Sequence, residues 1–436
     1  VLTAFARAFK TPDLRKKLLF TLGIMVVFRM GAHIPVPGVN FKAVQACVNA
    51  SAKSGNGLLG LVNLFSGGAL LQITIFALGI MPYITSSIIL QLLTVVIPRL
   101  DALKKEGQAG QTKITQYTRY LTIALAILQA TGIVATASTG ALFASANCDT
   151  TQIVPDQSVF RIATMVITMA AGTVVIMWLG ELITDRGIGN GMSILIFTSV
   201  AAGFPSSLLA IKATKGWATF VFVLIMGLAM VALVVFVEQA QRRIPVQYAK
   251  RMIGRRAYGG TSTYIPLKVN QAGVIPVIFA SSLLYIPGLV VQLSGATTAP
   301  WAVWITTNLT KSDKPLYGAL YFLLIVFFAF FYVAISFNPE EVADNMKKYG
   351  GFIPGIRAGR PTAEYLNYVL TRITWPGSLY LGLIAMVPLV ALGLFGASQN
   401  FPFGGTSILI IVGVGLETVK QIESQLQQRN YEGFLR

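Results

Sequence analysis

The sequence is poor in charge. Only 11% of its 436 residues are Asp, Glu, Lys or Arg, against about 25% in a soluble domain, which excludes an ordinary water-facing fold. A single histidine, His33, removes metal sites built from several imidazoles and most Ser-His or Cys-His nucleophile pairs. Two cysteines, Cys47 and Cys148, exclude a disulfide scaffold. Both fall on the outer face assigned below, where a bridge is chemically permitted but not demanded. No Walker-type GK[ST] sequence occurs, so the chain lacks that route to ATP hydrolysis. None of the 16 acidic residues lies in the middle of an apolar run. Ion-coupled transporters usually keep an acidic group or a broken-helix ion site near the midplane, so this absence weighs against solute transport.

What the chain has in quantity is apolar sequence, 54% of all residues. At about 20 residues per crossing there is room for roughly ten membrane spans. Apolar runs lie near 18–34, 70–97, 119–138, 159–183, 189–211, 217–238, 271–293, 316–337, 374–397 and 404–419. The first follows Arg15-Lys16-Lys17 as a signal peptide would. Pro35-Val36-Pro37-Gly38 stands where a cleavage site belongs and Arg29 interrupts the run, so it reads as span 1. The fold class is an all-α polytopic membrane protein with ten transmembrane helices.

An even number of spans puts both termini on one side. The large majority of the 34 basic residues fall in the N-terminus, alternate loops and C-terminal tail, whereas the opposite loops hold only Lys42, Lys53, Arg161, Lys212, Lys215, Lys311 and Lys314. Both termini are therefore assigned to the cytoplasm. The net charge of +18 suits anionic lipid, nucleic acid or acidic protein as partners for the exposed parts. A division at the 205–216 loop gives halves 1–215 and 216–436 with five spans each, and parity then permits an inverted repeat.

Several segments carry more than burial. Leu58 to Phe65 (LLGLVNLF) is apolar but too short to cross; a re-entrant half-helix and a helix lying at the outer interface both fit. Arg29 is the one charge placed at depth. Thr85, Ser86, Ser87 and Gln91 in span 2, Gln129 in span 3, and Asn270, Gln271, Ser281 and Ser282 around span 7 are scattered polar groups. Their weak hydrogen bonds suit ordinary helix association, or an interface that opens and closes. Loop 6/7, residues 239–270, carries the pairs Arg242-Arg243, Lys250-Arg251 and Arg255-Arg256 among Tyr248, Tyr258 and Tyr264. Such pairs suit RNA phosphates or anionic lipid. Loop 8/9, residues 338–372, opens with Asn338-Pro339-Glu340-Glu341, which predicts a capped helix ending at Lys347-Lys348 with Gly350 as the stop. The basic tip beyond it (GFIPGIRAGR) carries Arg357 and suits docking to a large partner. RGIGNG, from Arg186 to Gly191, has the wrong spacing for a dinucleotide fingerprint and predicts a tight turn between spans 4 and 5.

Six stretches resemble the bacterial SecY family: FSGGALLQITIFALGIMPYITSSIILQLLTVV (Phe65 to Val96), KKEGQAGQTKITQYTRY (Lys104 to Tyr120), MWLGELITDRGIGNGMSILIF (Met177 to Phe197), QRRIPVQYAKR (Gln241 to Arg251), PLKVNQAGVIPVIFASS (Pro266 to Ser282) and FNPEEVADNMKKYGGFIPGIRAG (Phe337 to Gly359). The resemblance runs from span 1 to the C-terminal tail and is poor near 139–158 and 294–315. It implies a clamshell of two inverted five-helix halves around an hourglass pore. Unfolded secretory proteins would cross through this pore, and membrane proteins would leave it laterally into the cytoplasmic membrane.

The resemblance also implies roles for residues. Ile80, Ile84, Ile196, Ile278 and Ile410, with Ile275 adjacent, match the apolar pore ring; isoleucine at a constriction sheds water and blocks ions. The segment around 57–68, including Leu58, Leu61, Asn63, Phe65, Gly67 and Gly68, matches the plug, which decides for re-entry. Thr85, Ser87, Gln91, Gln129, Ser282, Tyr285 and Ile286 match the lateral gate, which a signal sequence opens. Arg242, Arg243, Lys250, Arg251, Arg255, Arg256 and Arg357 match the docking surface for the ribosome and the motor ATPase SecA. SecE and SecG are the implied companion subunits, signal sequences and membrane lipid the further contacts, and no cofactor, metal or enzymatic activity is implied. An inverted-repeat solute transporter and an intramembrane enzyme are the competing readings, disfavoured by the missing midplane carboxylates and by the lack of an acid, His or Cys constellation at depth.

Overall fold

The computed structural model describes residues 9–51, 69–70, 72–138, 153–155, 158–248, 251–253, 256–258, 262–294, 299–310, 314–395 and 405–432. Helices dominate, as the apolar runs predict. Helix α1 (Pro12–Gly31) starts with Pro in its first turn, where the missing N–H costs nothing, and ends with Arg29 in the last turn, where the helix dipole favours a cation. Helix α2 (Phe41–Ser51) follows. Within it Cys47 is buried and disulfide-bonded. The only other cysteine of the sequence, Cys148, lies outside the described residues.

The second apolar run departs from expectation. Helix α3 spans only Met81–Val96, and residues 72–80 form turns before it. Gly79 at φ 56 and Ile73 at φ 48 leave the helical region there. Ala69, Leu70, Ile73, Thr74, Ala77 and Leu78 are nevertheless buried, and non-helical backbone at depth is tolerated where protein surrounds it. After α3 the chain bends by 100° into α4 (Pro98–Lys105). Helices α5 (Gln108–Ser138) and α6 (Val159–Arg186) then run long and apolar.

The RGIGNG turn forms as the sequence predicts. Gly189 adopts φ 85, and the Asn190 side chain accepts from the backbone N–H groups of Met192 and Ser193, at 3.1 and 3.4 Å, to cap the next helix. That helix, α7 (Gly191–Gln239), runs through the 205–216 segment expected to be a loop and breaks only at Gly216, where φ is 82. No side chain is needed there, and glycine makes the left-handed backbone accessible.

Beyond α7 comes the feature that helix periodicity does not reveal. Strands β1 (Gln241–Tyr248), β2 (Arg251–Ile253), β3 (Arg256–Tyr258) and β4 (Ser262–Lys268) build a hairpin, with β1 antiparallel to β4 from Gln241↔Lys268 to Gln247↔Ser262. Helix α8 (Ile275–Ser294) leads to the short α9 (Pro300–Ile305), then to α10 (Pro315–Ser336) and α11 (Pro339–Lys348). Asn338 caps α11 by accepting from the Glu340 N–H at 3.2 Å, as the Asn-Pro-Glu-Glu sequence predicts. Strand β5 (Gly351–Phe352) adds to the far edge of β1. The loops before α8 and after α10 are thus one sheet. Its inner residues Ile244, Val246 and Leu267 pack with Met346, Leu366 and Val369. Helices α12 (Arg360–Phe395) and α13 (Gly405–Glu432) complete the chain.

Four helices among the described residues, including α5 and α6, are long and apolar enough to cross a membrane, and a fifth span results if bent α3 and α4 are counted together. The protein is a helical membrane protein with a small β-structured appendage.

Candidate pore, gate and docking surface

The isoleucines meet. Ile80, Ile196, Ile278 and Ile410 are all buried in one apolar cluster, and Ile84 packs against it. They come from the start of α3, the first turns of α7 and α8, and the first turns of α13. Ile84 donates its backbone N–H to the Ile80 carbonyl at 3.1 Å, which fixes the two one turn apart on one face. Ile275 is half-buried one turn before Ile278 and packs with the second cluster, built from α3, α7, α8, α10, α12 and α13.

Above this cluster opens a cavity of about 450 Å³. Ile84, Ile196, Ile275 and Ile278 are part of its lining. Its walls come from α3, the first half of α5, the end of α6 and the starts of α7 and α8, the helix ends that join the basic loops. The lining therefore combines four isoleucines with polar and charged side chains.

The lining includes a charge pair formed by residues near the ends of two apolar runs. Arg119 on α5 grips Glu181 on α6 with both arms of its guanidinium, Nε to Oε1 at 2.9 Å and Nη2 to Oε2 at 2.8 Å. Its Nη1 donates to the Gln116 Oε1 at 3.2 Å. Planar bidentate pairs of this kind are strong and directional. Arg119 lies at the beginning of one apolar run and Glu181 near the same-side end of the next, so opposite charges at equal depth were the available signal. Below them Ser86 of α3, fully buried, donates to the Thr118 carbonyl of α5 at 2.8 Å. Helices α3, α5 and α6 are braced together by polar bonds.

The expected gate residues are distributed differently. Ser87 and Gln91 line the cavity. Thr85 donates within its own helix, to the Met81 carbonyl at 2.9 Å. Gln129 is half-buried on α5, and Ile286 on α8 is exposed. Ser282 is buried with its hydroxyl unpartnered. The Tyr285 side chain is outside the described set. Helix α8 does pack against both α3 and α5, and the seam is apolar: Ile88, with Ile84 and Leu92 beside it, joins Val277, Phe279, Ala280 and Leu284 in one cluster. The expected plug residues Leu58, Leu61, Asn63, Phe65, Gly67 and Gly68 lie outside the described residues.

On the docking side, Arg242 and Arg243 are exposed on β1, and the Arg243 guanidinium lies 4.8 Å from the ring centre of Tyr264 across the hairpin. Arg251 and Arg256 belong to β2 and β3, while Lys250 and Arg255 lie outside the described residues. Arg357 is exposed in the turn before α12, whose Thr362 hydroxyl donates to the Arg357 carbonyl at 2.8 Å. The β1–β5 pairing puts the loops bearing Arg243 and Arg357 into one structure. Among the described residues no cluster of three His, Cys, Asp or Glu suits a metal ion.

The family model for SecY matches residues 74–419. The chain belongs to the SecY family. Protein translocase subunit SecY of Streptomyces scabiei is 77% identical over the full length of both chains, and the SecY of Mycobacterium bovis is 60% identical, again over the full length of both. Among solved structures, that of a protein conducting channel has a TM-score of 0.61 at 17% identity, covering 94% of this chain and 91% of the other. The Ssh1 complex of yeast, solved idle on the 80S ribosome, contains a chain with a TM-score of 0.61 at 17% identity, with 94% and 89% covered. These two show that the SecY fold is shared.

Proposed function

We propose that this chain is the protein-conducting subunit of a translocase in the bacterial cytoplasmic membrane, passing unfolded secretory chains outward and releasing membrane segments sideways. The observation that carries this reading is the cavity lined in part by Ile84, Ile196, Ile275 and Ile278. A vestibule with polar and charged side chains admits a hydrated polypeptide, and its isoleucines repel water and ions until a chain fills it. Ile80 and Ile410, packed in the same buried cluster, complete the ring. We assign the role of plug to the residues around 57–68. The transporter reading finds no support: of the two carboxylates lining the cavity, Glu181 is held by Arg119 and Asp185 lies in the last turn of α6.

The lateral exit is the seam between α3 and α5 on one side and α8 on the other, flanked by Thr85, Ser87, Gln91, Gln129, Ser282, Tyr285 and Ile286. An apolar signal sequence opens it by exchanging the seam's contacts for its own burial, at about 0.8 kcal/mol per CH2 removed from water. A gate held by apolar contact lies within reach of that driving force. The exposed arginines of the hairpin and Arg357 suit an RNA surface or an acidic protein, and we assign the ribosome and SecA to this face, with SecE and SecG as companion subunits. The energy source belongs to those partners, because the chain has no ATP-binding loop of its own. The halves 1–215 and 216–436 are the clamshell's two sides, with both termini cytoplasmic.

The test is crosslinking from Ile84→Cys to a secretory chain stalled partway through export, with a signal-less chain as control. Signal-dependent crosslinking is expected. A translocating chain that never contacts probes at Ile84, Ile196 and Ile278 would remove the pore assignment.

A further inference from the structure

The docking hairpin and the gate helix α8 are neighbours in sequence, but a connection of several residues between a strand and a helix ordinarily swivels and transmits little. Here it is pinned. Asn270, between β4 and α8, is buried at 3% exposure. Its Nδ2 donates to Glu238 Oε1 at 2.5 Å, at the end of α7, and to the Gly273 carbonyl at 3.1 Å, two residues before α8. The hairpin continues into the same corner, where the Val269 N–H donates to the Ala240 carbonyl at 3.0 Å. The Lys268 N–H donates to Gln271 Oε1 at 3.2 Å. From the other side α12 closes on the turn at Gly377, where a Cβ would stand 2.4 Å from the Val269 carbonyl oxygen. One amide thus joins the end of α7 to the start of α8 at the base of the hairpin.

We propose that Asn270 is the positioning residue that makes the hairpin and α8 one lever, so that a partner pressing on the Arg242–Arg243 face displaces the α8 side of the seam. This deepens the function proposed above and rests on its docking and gate assignments. The geometry favours transmission because the two elements share a backbone, a buried side chain bonds across the joint, and the moving side of the seam begins five residues further on at Ile275. The opposite side, α3, has no such connection to the hairpin along the chain. A coupling claim needs an element that both sites bias, and that element is the α8 seam, where Ile88 packs with Val277, Phe279, Ala280 and Leu284.

The experiment uses the full chain in its translocase, in native membrane vesicles, with spin labels at Gln91→Cys on α3 and Leu283→Cys on α8. Ribosomes lacking a nascent chain are the probe. Binding and label separation are measured together for the parent and for Asn270→Ala, Glu238→Ala and Glu238→Gln. Glu238→Gln keeps an amide oxygen for Asn270 and is the conservative control. The expected result is that ribosomes bind all four within about twofold and shift the label distance in the parent and in Glu238→Gln. In Asn270→Ala and Glu238→Ala at least half of that shift is lost. Equal shifts in all four overturn the lever while leaving docking and gating intact. Failure of ribosomes to bind the parent overturns the docking assignment, and the lever with it. Loss of binding in Asn270→Ala alone shows a merely structural corner and overturns the lever; a thermal unfolding midpoint matching that of the parent separates this from general misfolding.

Discussion

The two sides of the vestibule are held shut by different physics. Between α5 and α6 the contact is a bidentate Arg119–Glu181 pair, and between α3 and α5 a buried hydroxyl, Ser86, bonds the Thr118 carbonyl. Between α3 and α8 the contact is apolar, around Ile88, Val277 and Leu284, and the buried Ser282 hydroxyl has no partner. A bidentate ion pair and a buried hydroxyl bond are lost when their helices part, whereas apolar contact can be exchanged for contact with another apolar surface. The wall is built to stay and the seam to part. On the proposed function a signal sequence is such an exchange surface, and the polar positions assigned to the gate need not bridge the seam.

Breaking the isoleucine cluster shared by both sides has the largest expected effect. Ile278→Asn hydrates the constriction, and ion leak through the reconstituted translocase rises about tenfold or more; planar-bilayer conductance measures it. Next, Arg119→Ala leaves Glu181 half-buried without its partner and lowers stability by about 2 kcal/mol, read as the urea midpoint in detergent. Glu181→Gln, which keeps an acceptor without the charge, costs less. Ser86→Ala strips the donor from a single buried bond and costs about 1 kcal/mol in the same assay. The smallest effect has the opposite sign. Ser282→Ala removes a buried hydroxyl that bonds to nothing and tightens the seam by less than about 1 kcal/mol. Export of a chain with a marginally hydrophobic signal then falls by up to about fivefold, while a strongly hydrophobic signal is unaffected.

Local features were legible in the sequence. Asn338-Pro339 announced the cap of α11, and RGIGNG announced the turn that Asn190 completes, because capping and turn chemistry act within four residues. That these isoleucines share one cluster was legible only through the family resemblance, since nothing in Ile196 or Ile410 distinguishes it in the sequence from any other buried isoleucine. The Arg119–Glu181 pair joins residues 62 apart, and each looked like a loop-flanking charge until both were seen at one depth. The hairpin was missed for a related reason. Its arginines dominate the composition of loop 6/7 and read as a surface for RNA phosphates or anionic lipid, while the alternation of Ile244, Val246 and Leu267 against exposed neighbours is a short period-two signal. The β1–β5 pairing joins loops about a hundred residues apart in sequence, beyond any local pattern.

The most direct measurement of the difference between wall and seam is a pair of distances in the same translocase, before and after a signal-bearing chain is stalled in it. One label pair spans the seam, at Gln91→Cys and Leu283→Cys. The other spans the wall, at Tyr120→Cys and Trp178→Cys, both exposed positions on α5 and α6. The account predicts that the stalled chain widens the seam pair and leaves the wall pair unchanged. Equal widening of both pairs, or a seam distance that does not respond to the chain, would contradict it.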